Sequence, residues 1–109
     1  MKLEELNSIL NQLGIPVAYS HFKEAQEAPY ICYVVDDDNN MGADNKVYKK
    51  IDNINIELYT DKKDLELEGK LEKILDDNNI FYENIEYYID SEELFKKNYE
   101  IGVILDVDY

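Results

Sequence analysis

The residues most able to do chemistry are crowded into one run, Asp36, Asp37, Asp38, Asn39 and Asn40, followed by Met41, Gly42 and Asp44. Alternate oxygen ligands in such a run are the opening of a calcium loop. With Asp36 at the first position, Met41 falls where the turn glycine belongs and Val47 where the closing bidentate glutamate belongs. Starting from Asp37 restores Gly42 but puts Met41 at a ligand position and Tyr48 at the end. Both registers fail the EF-hand template, and a solvated acidic loop is the reading that remains. The single histidine, His21, has no second His or Cys at metal-ligand spacing and cannot anchor a zinc site. The single cysteine, Cys32, lies in the apolar run Tyr30–Val35 and reads as a small buried hydrophobe. Carboxylate pairs are too numerous for any one to stand out as an acid/base dyad, and nothing marks a pocket that would split their pKa values. The expectation is a protein that is not an enzyme, with no cofactor and no metal.

The carboxylates instead make a statement about partners. Twenty-five acidic and eleven basic residues give a formal charge of −14 over 109 residues, and none of the basic residues is Arg. Phosphate binding needs clustered Lys and Arg that displace counterions, so stable nucleic-acid binding is not expected, and an anionic membrane surface would repel the chain. An acidic domain can still work beside DNA, as a non-stick wall or as a mimic of its charge. Hydrophobic residues make up 45% of the chain, enough to core one domain and too many for the disordered class. Met1–Leu10 mixes Lys2, Glu4 and Glu5 into its apolar positions, unlike a signal peptide, and no run reaches the roughly 20 apolar residues of a spanning helix. A soluble protein made in a reducing cytoplasm is expected.

The elements that position these residues follow from periodicity. Leu3, Leu6, Ile9, Leu10 and Leu13 mark one face of a helix over 2–13, stopped by Gly14 and Pro16. Val17–Phe22 reads as a short strand. Pro29–Val35 is apolar on both parities, the pattern of a strand covered on both faces by helices or by a neighbouring subunit. Ile54, Ile56 and Leu58 alternate with Asn53, Asn55, Glu57 and Tyr59. The simplest account is one long strand over 46–59 whose first half leaves the core; a bulge at Asp52–Asn53 is the competing account. Thr60 or Asp61 is expected to cap a second helix, with Asp64 in its first turn and Leu67, Leu71, Ile74 and Leu75 as its apolar stripe. Phe81, Ile85, Tyr87 and Ile89 then alternate with Tyr82, Asn84, Glu86 and Tyr88. Asp90–Glu93 turns the chain, and Tyr99, Ile101, Val103, Leu105 and Val107 form a last apolar parity interrupted by Lys97. The order α-β-β-β-α-β-β predicts a single α+β domain over 1–109, a mainly antiparallel sheet of four to five strands with two helices on one face. Tyr59, Tyr82 and Tyr88 sit on the polar parity of their strands, where an interface would select an amphipathic ring. With the doubly apolar strand, they predict a homo-oligomer.

The stretch APYICYVVDDDNNMGADNKVYKKIDNINIELYTDKKD (Ala28–Asp64) resembles the tail terminator, or tail-completion, proteins of long-tailed phages and prophages of Gram-positive bacteria. The likeness lies in an N-terminal helix, "PYI.Y", a GADNKVY-like loop, a long "Y..ID...IELYTD" strand, an acid-capped helix and a terminal hairpin. What the resemblance implies is a structural virion protein at the head-proximal end of the tail. It would form a ring of six subunits that ends tube polymerisation and offers the head–tail joining surface. Its partners would be its own copies, the major tail tube protein and the head connector or neck proteins, with DNA passing through. Six copies would carry about −84, an acidic lining past which phosphates slide. Asp36, Asp37, Asp38 and Asp44 are then the candidate bore or ring-edge residues. Lys46, Val47, Tyr48, Lys49, Lys50, Tyr59, Tyr82 and Tyr88 are the candidate subunit or tube interface, the first five on a β-augmenting arm. The competing expectations are a neck or head-connector completion protein of the same virion, and an acidic DNA-mimic inhibitor.

Overall fold

A computed structural model describes residues 2–36 and 49–106, with the side chains of Asp36, 49–52 and 103–106 not described. The elements are α1 (Leu3–Asn11), β1 (Val17–Tyr19), β2 (Tyr30–Asp36), β3 (Lys49–Thr60), α2 (Leu65–Asp77), β4 (Tyr82–Ile89) and β5 (Leu94–Asp106). This is the expected α-β-β-β-α-β-β order. The five strands form one sheet in the spatial order β1-β2-β3-β5-β4. Every neighbouring pair is antiparallel except β1 and β2, which run parallel.

Both helices lie on one face of the sheet, because the alternation leaves only one face apolar. Leu6 and Leu10 of α1 and Leu71 and Leu75 of α2 are buried in one core with Ile31, Tyr33, Ile54, Ile56, Leu58, Tyr99 and Ile101. Ile31 and Tyr33 of β2, Ile54, Ile56 and Leu58 of β3, and Tyr99 and Ile101 of β5 therefore point at the helices. Gly14, at φ +77°, turns the chain out of the last turn of α1, a conformation open to glycine without strain. Asn78 caps the end of α2, its Nδ2 donating to the carbonyl of Ile74 at 2.8 Å.

Two expectations change, and one choice between competing accounts is decided. The N-cap of α2 is Asp64, whose Oδ1 accepts the amide of Leu67 at 3.0 Å. Thr60 cannot start that helix because it still pairs with Phe95 as the last residue of β3. The pairing of β3 with β5 runs without a break from Lys49↔Asp106 to Thr60↔Phe95, so no bulge interrupts Asp52–Asn53 and the long-strand account holds over the described residues. The second change is the face of β4. Its even residues lie opposite Ile101, Tyr99, Lys97 and Phe95 on the helix side, so the apolar odd set faces away from the core. Ile85 and Tyr87 are 53% and 48% exposed. An edge strand exposed from Glu83 to Tyr88 has no full cover on either face, and its alternation does not report a core.

The doubly apolar strand β2 is covered on both sides from within the chain. Ile31 and Tyr33 enter the core, and Tyr33 Oη donates to Asn7 Oδ1 of α1 at 3.3 Å. On the other face, Cys32 is buried and Tyr30 half-buried. There Phe22 meets the Tyr30 ring edge-on at 5.6 Å.

Candidate interaction face

Among the described residues, the core leaves unused the face of the sheet turned away from the helices. This face runs from the half-buried Tyr30 at the covered margin of β2 over Asn53, Asn55, Glu57 and Tyr59 of β3, Lys96, Asn98 and Glu100 of β5, and Glu83, Ile85, Tyr87 and Ile89 of β4. Strand register brings these into contact. Tyr30 lies opposite Tyr59, Tyr59 opposite Lys96 and Lys96 opposite Tyr87, a row across four strands. The Tyr30 and Tyr59 rings stack with centroids 4.8 Å apart. Lys96 Nζ lies 6.0 Å from the Tyr59 centroid and 5.8 Å from that of Tyr87, within cation–π range.

Electrostatics fixes the middle of this row. Lys96 Nζ is 3.3 Å from Glu57 Oε2, and Tyr59 Oη donates to Glu57 Oε1 at 3.0 Å. Burial, then the neighbouring Glu57 charge, pushes the Tyr59 hydroxyl well above its usual range, so it stays a donor. Burial also raises the Cys32 thiol, Glu57 raises it further and Lys96 opposes them. The thiol is held protonated, which is the opposite of what a nucleophile needs. Toward the other end the face becomes amide-rich: Asn98 Nδ2 donates to Asn55 Oδ1 at 3.1 Å. A shallow groove runs between Asn55, Glu57, Tyr87, Ile89, Lys96 and Asn98. Its chemistry is that of an interface, with aromatic rings, a tethered lysine and amide pairs that can donate and accept.

A second charged constellation lies under the sheet. Glu68 of α2 is buried, with its side chain 6% exposed, and Lys97 Nζ approaches it at 2.8 Å. Lys63 Nζ reaches it at 2.7 Å and also pairs with Glu86. Burial alone would raise the Glu68 carboxyl, but hydrogen bonds from Lys63 and Lys97 outweigh it and the net shift is downward. The Lys63 ammonium is shifted up by the hydrogen bonds it donates to Glu68 and Glu86. Tyr99 Oη donates to Glu72 Oε2 at 2.7 Å. This network explains the lysine that interrupts the apolar parity of β5: it reaches across to a buried glutamate. It joins α2 to β5 and β4 through ion pairs within the chain, which is a structural role.

The candidate residues scatter across the molecule. Asp37, Asp38, Asp44, Lys46, Val47 and Tyr48 lie outside the described residues, and Asp36 ends β2. Lys49 and Lys50 open β3. Among the described residues, Lys49–Asp52 pairs with Val103–Asp106 alone, because β2 reaches only to Asn53 and β4 only to Ile101. A two-stranded ribbon thus extends past the five-stranded body. Tyr59 belongs to the open face. Tyr82 packs edge-on against Tyr99 at 5.5 Å on the helix side, and Tyr88, 52% exposed, lies against Phe95 on that same side. The three tyrosines therefore do not make one surface. Lys96, Glu57, Tyr87 and Ile85 were not singled out by sequence reasoning, since their proximity depends on cross-strand register.

Among the described residues no group of three or more His, Cys, Asp or Glu side chains is arranged to hold a metal ion. His21 Nδ1 lies 3.1 Å from Ser20 Oγ in an exposed turn. No helix among the described residues is long and apolar enough to cross a membrane. No protein-family model matches the chain, and no curated protein matches it.

Proposed function

We propose that this chain is a structural subunit of a phage tail. It forms a ring at the head-proximal end of the tail tube, ends tube polymerisation and provides the surface to which the head connector joins. The observation that carries this reading is the combination of an open, aromatic sheet face with a paired ribbon that extends past the body. A ring subunit needs two such surfaces, one toward each neighbour or toward the tube, and a single-domain protein acting alone needs neither. The resemblance of Ala28–Asp64 to tail terminator proteins directs the reading to the tail. The net charge of −14 supports it, since an acidic ring lets DNA pass without binding.

The test is purified chain mixed with tail tubes, and separately with connectors, of the phage that carries the gene. The chain should decorate one end of the tube in negative-stain images and assemble there into rings. Preference for the isolated connector would assign it to the neck. Tight monomeric binding to a nucleic-acid enzyme, with no binding to tube or connector, would make it a charge mimic and overturn the proposal.

A further inference from the structure

β4 is the long free edge of the sheet. It has eight residues, pairs among the described residues with β5 alone, and is exposed from Glu83 to Tyr88. Alternate residues of an edge strand direct their N–H and C=O groups outward, ready to pair with another strand. The opposite edge, β1, has three residues and offers little by comparison. Soluble proteins usually blunt a long edge with lysine, proline or a bulge. β4 has none of these, and it exposes Ile85, Tyr87 and Tyr88, with Phe81 79% exposed just before it.

Charge selects what this edge can accept. Between Lys73 and Lys96 the chain carries seven carboxylates and no basic residue. Only Glu86 is neutralised along β4, by Lys63 from the helix side. Glu83, Asp90, Glu92 and Glu93, on the strand and its turn, form no ion pair among the described residues. A second copy of the same edge would place glutamates beside glutamates, which is destabilising. A basic strand meets the opposite situation. Its apolar residues would lie over Ile85 and Tyr87 on one face, and its Lys or Arg, on the other face, would approach Glu86 and, beyond the strand end, the acidic turn. The chain already shows this chemistry one strand away, where Lys96 sits beside Tyr87, Tyr59 and Glu57.

We infer that the β4 edge is a docking site for an extended basic segment of a different protein, taken up by strand addition and selected by charge. This holds whether or not the chain is a tail subunit.

The probe is a synthetic peptide matched to the length of β4 in which Lys and Val alternate. Its controls are the Glu–Val counterpart and a Lys–Val peptide N-methylated along its backbone. Amide hydrogen exchange of the full chain is read with each. The Lys–Val peptide should slow exchange at alternate β4 amides about tenfold, and the effect should fade as salt rises. Both controls should leave β4 unchanged, and an E83K/I85K variant should lose the response. Equal protection by the N-methylated peptide would show charge attraction without strand addition and overturn the proposal. So would protection confined to β1 or to the open face. Protection of β4 that grows with protein concentration alone would make the occupant a second copy and likewise overturn it.

Discussion

At the scale of single residues, Glu68 decides most. A carboxylate 6% exposed is tolerable only with its charge matched, and removing one partner of such a pair leaves an uncompensated charge. Glu68→Gln should cost about 2–3 kcal/mol in chemical denaturation, below the cost for a fully buried pair because Lys63 is partly in solvent. Its pH dependence has a defined sign. The folded pKa lies below the ordinary glutamate value of 4.5, so the stabilisation is present above that value and is lost as pH falls through the folded pKa. The stability gap between wild type and Glu68→Gln should therefore close in acid, and a gap that widens there would contradict the assignment. For Lys63 the folded pKa is raised above 10.5. Its contribution is complete below that value and is lost in more alkaline solution. Tyr99→Phe removes a hydroxyl that donates to Glu72 at 2.7 Å and should cost about 1.5 kcal/mol by the same measurement. Glu68 was legible in part. It falls three residues before Leu71 and seven before Leu75, on the buried stripe, and Lys97 stands among apolar residues in β5. Joining the two requires knowing that α2 lies across β5.

Among the elements, the ones with a single buried face were readable and the edge was not. β3 alternates Ile54, Ile56 and Leu58 with polar residues because helices cover one side and solvent the other, and β5 follows from Tyr99 and Ile101 for the same reason. β4 carries Ile85 and Tyr87 on the side away from the helices, so periodicity alone assigned its faces in reverse. The row Tyr30–Tyr59–Lys96–Tyr87 was likewise hidden, since it runs across strands distant in sequence. Helix α2 offers the clearest checks. Asp64 accepts the Leu67 amide, and Asp64→Ala should lower stability by about 1 kcal/mol. Gly69 lies in mid-helix with nothing within 4 Å of an added Cβ. Gly69→Ala should therefore raise stability by about 1 kcal/mol, and thermal unfolding of the two variants should shift in opposite directions.

For the whole molecule, the charge of −14 is both a cost and an instruction. Like charges distributed over a small domain repel, and salt shortens their reach from about 30 Å at 0.01 M to about 8 Å at 0.15 M. The unfolding temperature should rise over that range, and a fall would mean that the internal ion pairs outweigh the net repulsion. The same charge disfavours stable phosphate contacts, and in the proposed ring it would let DNA pass without binding. The claim that this chain completes a phage tail is tested most directly by electron microscopy of particles made by the phage lacking its gene. Overlong or headless tails, restored to normal length and joined to heads when the gene is supplied in trans, are the expected result. Virions of normal length with heads attached would contradict it.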